Sequence, residues 1–149
     1  MRAAVAFAAM LATCVAPAAG ADASRSAQGK IIRYGIYRVP SGLLVPTDRV
    51  PMTPGKVFGI EFSVFGLPYE RVEIICRARH PLTKPDGNGV NSEDAFARRF
   101  VTIHGRLTEP YYRLWLRRKS MLIEGTWTLS CSYGDQVLVS KDFFLFYPE

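Results

Sequence analysis

Two stretches of this chain alternate apolar and polar side chains residue by residue, and each carries a cysteine on its apolar side. Within 72–79, Val72, Ile74, Cys76 and Ala78 share one face while Glu73, Arg77 and Arg79 take the other. Within 125–133, Trp127, Leu129, Cys131 and Tyr133 oppose Thr126, Thr128, Ser130 and Ser132. A period of two belongs to a strand with one buried face. The chain is thereby directed to a β architecture whose core receives both cysteines.

Other segments repeat the pattern. Residues 31–39 are rich in β-branched and aromatic side chains, and in 56–64 Phe58, Ile60, Phe62 and Val64 point opposite to Glu61 and Ser63. Further strands are predicted at 95–104, 111–118 and 136–146, the last entered through the hairpin signal Gly134-Asp135. Pro40-Ser41-Gly42 and the prolines at 46, 51 and 54 mark an irregular or edge-strand region, because proline cannot serve a central ladder. Lys84-Pro85-Asp86-Gly87-Asn88-Gly89 is concentrated turn chemistry. A helix over 92–100 is disfavoured by its β-rich continuation, Phe100-Val101-Thr102-Ile103. About seven closely spaced strands with core-facing cysteines describe an all-β, immunoglobulin-like antiparallel β-sandwich, with a small open β-barrel as the alternative.

The amino terminus adds a compartment. Met1-Arg2 is followed by an apolar run of about 13 residues, too short to span a bilayer, and then by small residues offering cleavage after Ala21 or Ala23. Residues 1–23 therefore read as a secretory signal peptide and 24–149 as one domain, whose core buries roughly two-thirds of the unfolded surface. The product is expected to be periplasmic or secreted. The minor alternative is a lipoprotein anchored through Cys14, although Thr13 fits a lipobox poorly. With Cys14 in the leader, Cys76 and Cys131 form an even pair in an oxidising compartment, and a disulfide is the default. Closing so long a loop would stabilise the fold by roughly 4 kcal/mol. A net charge of +6 either only keeps the protein soluble or draws it toward anionic neighbours such as acidic glycans, and it is too modest for an exported protein to imply nucleic acid.

A set of short motifs runs through the mature chain in order. They are Tyr34-Gly35-Ile36-Tyr37, Thr47-Asp48-Arg49-Val50-Pro51, Phe58-Gly59, Gly66-Leu67-Pro68, Arg79-His80-Pro81 and Gly125-Thr126-Trp127. On these the chain resembles a bacterial family of small exported immunoglobulin-like domains of unknown function. The resemblance implies the fold and export and carries over no catalytic residue. The disulfide is not implied by it and rests on the local reasoning above.

Motifs for catalysis are sparse. Neither a G-x-S-x-G elbow nor an H-E-x-x-H pair occurs, and there are two histidines. Cys76 and His80 would share a strand face about 13 Å apart, too far to act as a dyad, and a metal would need further ligands. No cofactor is implied. The most suggestive stretch is Tyr111-Tyr112-Arg113-Leu114-Trp115-Leu116-Arg117. Here Tyr112, Leu114 and Leu116 form an apolar face, and Tyr111, Arg113, Trp115 and Arg117 form the opposite one. Aromatic rings interleaved with guanidinium groups suit a protein partner or an anionic glycan of the cell envelope; they serve equally as cross-strand pairs that stabilise a sheet face. The expected function is a non-catalytic binding or accessory module, not membrane-spanning. The alternative is a small envelope hydrolase or metal-dependent enzyme centred on His80 and the Asp86 loop. A concave polar pocket joining His80 or His104 to carboxylates would favour the enzyme, and a flat exposed patch would favour binding.

Overall fold

In the computed structural model, which describes residues 26–81 and 96–149, the alternation becomes ten strands. They are β1 (Gln28–Arg38), β2 (Gly42–Val45), β3 (Arg49–Pro51), β4 (Val57–Phe65), β5 (Glu73–Arg79), β6 (Arg98–Ile103), β7 (Arg106–Leu107), β8 (Tyr111–Trp115), β9 (Gly125–Tyr133) and β10 (Gln136–Phe146). All seven predicted strands are among them. The additional three, β2, β3 and β7, are too short to show a periodicity of their own. The expected leader over 1–23, Cys14 within it, and the loop around Asp86 lie outside the described residues.

The strands form two sheets, in the orders β2-β1-β4-β8 and β3-β10-β9-β5-β6-β7. Pairing is antiparallel except between β3 and β10, which run parallel. Two separate sheets make a sandwich, not a barrel. Proline acts as expected: β2 and β3, flanked by or ending in prolines, are edge strands.

The core lies between the sheets. Phe58, Ile60 and Phe62 of β4 meet Trp127 and Leu129 of β9 and Phe143 and Leu145 of β10, all fully or almost fully buried. The rings that cross the interface meet edge to face, with Phe58 to Phe143 at 5.2 Å, Phe58 to Trp127 at 6.1 Å and Phe62 to Phe100 at 6.4 Å between centroids. The one polar atom of the Trp127 ring is satisfied: its Nε1 donates to the carbonyl of Ile123 at 2.9 Å.

Cys76 and Cys131 are bonded and fully buried. They stand directly opposite one another across the β5–β9 ladder, with Cα atoms 3.9 Å apart. The bridge therefore joins two neighbours within one sheet, unlike the inter-sheet bridge of antibody domains. It closes a 55-residue separation, the long loop behind the roughly 4 kcal/mol expected above.

Strand β8 is fastened from both sides of its apolar face. Leu114 and Leu116 are buried, and the buried Tyr112 donates its hydroxyl to the Phe96 carbonyl at 2.7 Å. Burial pushes that phenol well above its ordinary pKa, so it stays a neutral donor. The opposite side chains of β8 are thereby committed to the outer surface of the four-stranded sheet.

Candidate functional site

Register sets the rows of that outer surface. Tyr37, Val57 and Trp115 form one row, Gly35, Gly59 and Arg113 the next, and Arg33, Glu61 and Tyr111 the third. The middle row has two missing side chains. A Cβ on Gly59 would collide with the Tyr112 carbonyl oxygen, and one on Gly35 with that of Val45, so only glycine lets the neighbouring strands come this close.

Arg113 occupies the space this leaves. Its guanidinium lies 4.2 Å from the Tyr37 ring centroid and 4.5 Å from that of Tyr111, and Nη2 donates to Glu61 Oε1 at 2.7 Å. Glu61 also accepts from Arg33 Nε at 2.7 Å. One carboxylate thus serves two guanidinium groups, and the Arg113 side chain keeps 19% of its surface exposed. Tyr37, though on the outer face, is buried beneath it. Burial pushes the Tyr37 phenol up to about 12, Glu61 adds to the rise, and Arg113 and Arg33 oppose it. Neither the Tyr37 hydroxyl nor Arg113 Nε makes a hydrogen bond among the described residues. Arg113 and Tyr111 are engaged in holding the sheet face together.

The Trp115 row differs. Trp115 is 41% exposed, and Arg117, just past the strand, lays its guanidinium 3.7 Å from the indole ring centroid. Beside the indole is a concavity of about 340 Å³, lined in part by Tyr37, Arg38, Lys56 and Trp115. Among the described residues Arg38, Lys56 and Arg117 form no ion pair with a carboxylate. An exposed indole beside three cations without acidic partners is chemically suited to an anion attached to something flat or apolar.

The four residues singled out from sequence thus share one outer surface but divide into two pairs. Arg38, Lys56 and Tyr37 were missed, because the pairing of β1 with β4 and of β4 with β8 brings them there and no local pattern reports it.

The histidines fall elsewhere. His80 packs against Trp127 at 5.0 Å and Phe96 at 6.1 Å between centroids, and burial pulls its pKa below the ordinary value. Cys76, expected to lie too far along the strand to act with it, is held in the disulfide. His104 occupies a two-residue turn with a positive φ of 51° and stacks on Tyr69 at 4.7 Å. His104 and Tyr69 line a groove of about 620 Å³ along β6 that also includes Glu70 and Glu109. A concave surface joining His104 to carboxylates does exist, then, alongside the exposed patch at Trp115. Glu109 in it is held by Arg98 at 2.5 Å. Among the described residues no three His, Cys, Asp or Glu side chains cluster as metal ligands, and no helix is long and apolar enough to cross a membrane.

The fold has a solved counterpart. An immunoglobulin-like protein of Pseudomonas aeruginosa, known from its crystal structure, matches with a TM-score of 0.58 and 20% sequence identity, over 83% of this chain and 99% of its own. At that identity the likeness establishes the immunoglobulin-like fold alone. No protein-family model matches the chain, and no curated protein does either.

Proposed function

We propose that this protein is a non-catalytic binding module of the bacterial envelope, exported by the leader over 1–23 and acting as a periplasmic or secreted domain. It engages an anionic ligand, either an acidic glycan or an acidic patch on an envelope protein, through the outer surface of the four-stranded sheet. Trp115 and Arg117 make the contact, while Arg113 and Tyr111 hold the surface that presents them. The observation that carries this reading is the exposed Trp115 indole ringed by Arg38, Lys56 and Arg117 without acidic partners. Trp and Arg are the residue types that dominate binding energy where they are exposed and preorganised.

The test is capture from envelope extract by the immobilised protein and by its Trp115→Ala variant. The parent should retain a component that the variant loses while both unfold at similar denaturant concentration. Protease treatment of the extract separates a protein ligand from a glycan. Equal capture by both would overturn the assignment of the face. Intact-mass measurement from the native host tests export: a chain starting at Asp22 or Ser24 supports it, and a lipidated chain starting at Cys14 replaces the soluble reading.

The hydrolase reading centred on His80 draws little support from an imidazole packed between two aromatic rings. Its better location is the His104 groove, where Glu109 is neutralised by Arg98 and the Thr102 hydroxyl is bonded to the Val72 carbonyl. Those engagements leave recognition as the groove's better-supported role.

A further inference from the structure

The groove along β6 is lined by a strand that, among the described residues, is paired on one side only over Arg98–Val101. The amide of Thr102 donates to the Val72 carbonyl at 2.9 Å, on the side facing β5. Backbone groups alternate sides along an antiparallel strand, so Arg99 and Val101 direct their N–H and C=O groups the other way. On that side β7 pairs with Thr102 and Ile103 alone, and the chain then leaves for the other sheet. Among the described residues no strand meets Arg98–Val101 there, and no backbone bond from a turn or loop reaches Arg99 or Val101. The concavity is lined by Arg98–His104 together with Tyr69–Arg71, which lead into β5, and Thr108–Glu109, which follow β7, so the open edge of Arg99 and Val101 adjoins it.

We propose that this groove accepts an extended acidic polypeptide segment as an added strand on β6. The unpaired amides and carbonyls of Arg99 and Val101 match another peptide backbone, the hallmark of strand addition; a glycan would leave that repeat unmatched. Ile103 and Tyr69, 56% and 74% exposed, give the guest apolar contact. Charge selects the guest. Arg98 and Arg99 are paired with Glu109 and Glu73, whereas Arg71 in the lining and Arg106 on β7 meet no carboxylate among the described residues and together outweigh the one unpaired carboxylate of the lining, Glu70. Arginines on an exposed edge discourage pairing with neutral strands and with a second copy of this basic chain, and they favour an acidic segment. The site is independent of the Trp115 surface.

Fluorescence anisotropy of the purified protein with a labelled, amidated hexapeptide alternating Glu and Val tests this. Saturable binding is expected, weakened about tenfold or more by Val101→Pro, which deletes an outward amide where edge strands tolerate proline. A Lys-Val peptide should bind at least as poorly, and Trp115→Ala should bind like the parent. Should Val101→Pro fail to fold, the same peptide N-methylated at alternate residues makes the test from the ligand's side. Absence of saturable binding, equal binding of the N-methylated peptide, or equal binding to a folded Val101→Pro variant would overturn the proposal. So would a sulfated hexasaccharide that displaces the peptide and loses affinity with Arg71→Ala but not with Val101→Pro.

Discussion

Aromatic rings occupy both sides of the four-stranded sheet, but they keep different company. Inside, ring meets ring: Phe58 touches Trp127 and Phe143, and Phe62 touches Phe100. Outside, ring meets cation: Arg113 lies between Tyr37 and Tyr111, and Arg117 lies on Trp115. The interior contacts are non-directional burial, whose loss opens a cavity. The exterior contacts are amphipathic, since each guanidinium covers apolar surface while keeping its charge near water. An aromatic residue on this sheet is therefore structural or available according to what lies over it.

The sharpest way to break that contrast is to truncate one indole on each side. Trp127→Ala should cost about 3–5 kcal/mol in urea denaturation, as for a large side chain removed from a closed core. Next in size is Arg113→Met, which keeps volume over the tyrosines but leaves Glu61 with Arg33 alone. Its expected cost is about 1–2 kcal/mol, less than for a fully buried broken pair because Arg33 remains. A neutral Arg113→Met would mean that the outer stack is decorative. Trp115→Ala should lie within about 1 kcal/mol of the parent while losing ligand capture. If it costs as much as Trp127→Ala, the two sides are not different in kind.

The smallest effect concerns His80, at the edge of the interior cluster. Its folded pKa lies below the ordinary value because burial disfavours the imidazolium. Between the folded value and the unfolded value near 6.5, the unfolded chain binds a proton that the folded one refuses. Stability is therefore full above about pH 6.5 and declines as pH falls through that value toward the folded pKa. The drop in melting temperature between about pH 7.5 and about pH 5.5 should shrink in His80→Gln. An unchanged drop would place the titrating group elsewhere.

Much of this organisation is legible in the residues. The period of two in 72–79 and 125–133 identifies which side chains are inside, down to both cysteines, because burial on one face is a local consequence of strand geometry. The same rule fails for Tyr37 and Arg113. They point outward yet are covered, since the coverage comes from Gly35 and Gly59 on neighbouring strands and from Glu61 across a ladder. The groove along β6 is illegible for a related reason: part of its lining comes from 69–71, far from β6 in sequence. His104-Gly105 between Ile103 and Arg106 does carry a local trace of it, a two-residue turn with positive φ at both positions, although histidine is an unusual choice for such a turn.

The position of the disulfide has a consequence for how the sheet is assembled. Cys76 and Cys131 face each other across adjacent strands in the middle of the six-stranded sheet. A slip of one residue between β5 and β9 would turn one thiol to the opposite face, and a slip of two would separate the pair to roughly 7–8 Å. Neither misalignment allows the bond to close. Oxidation thus works as a checksum on alignment, sealing the pairing in which Ile74, Ala78, Trp127 and Leu129 already face inward and leaving a misaligned sheet free to come apart and try again.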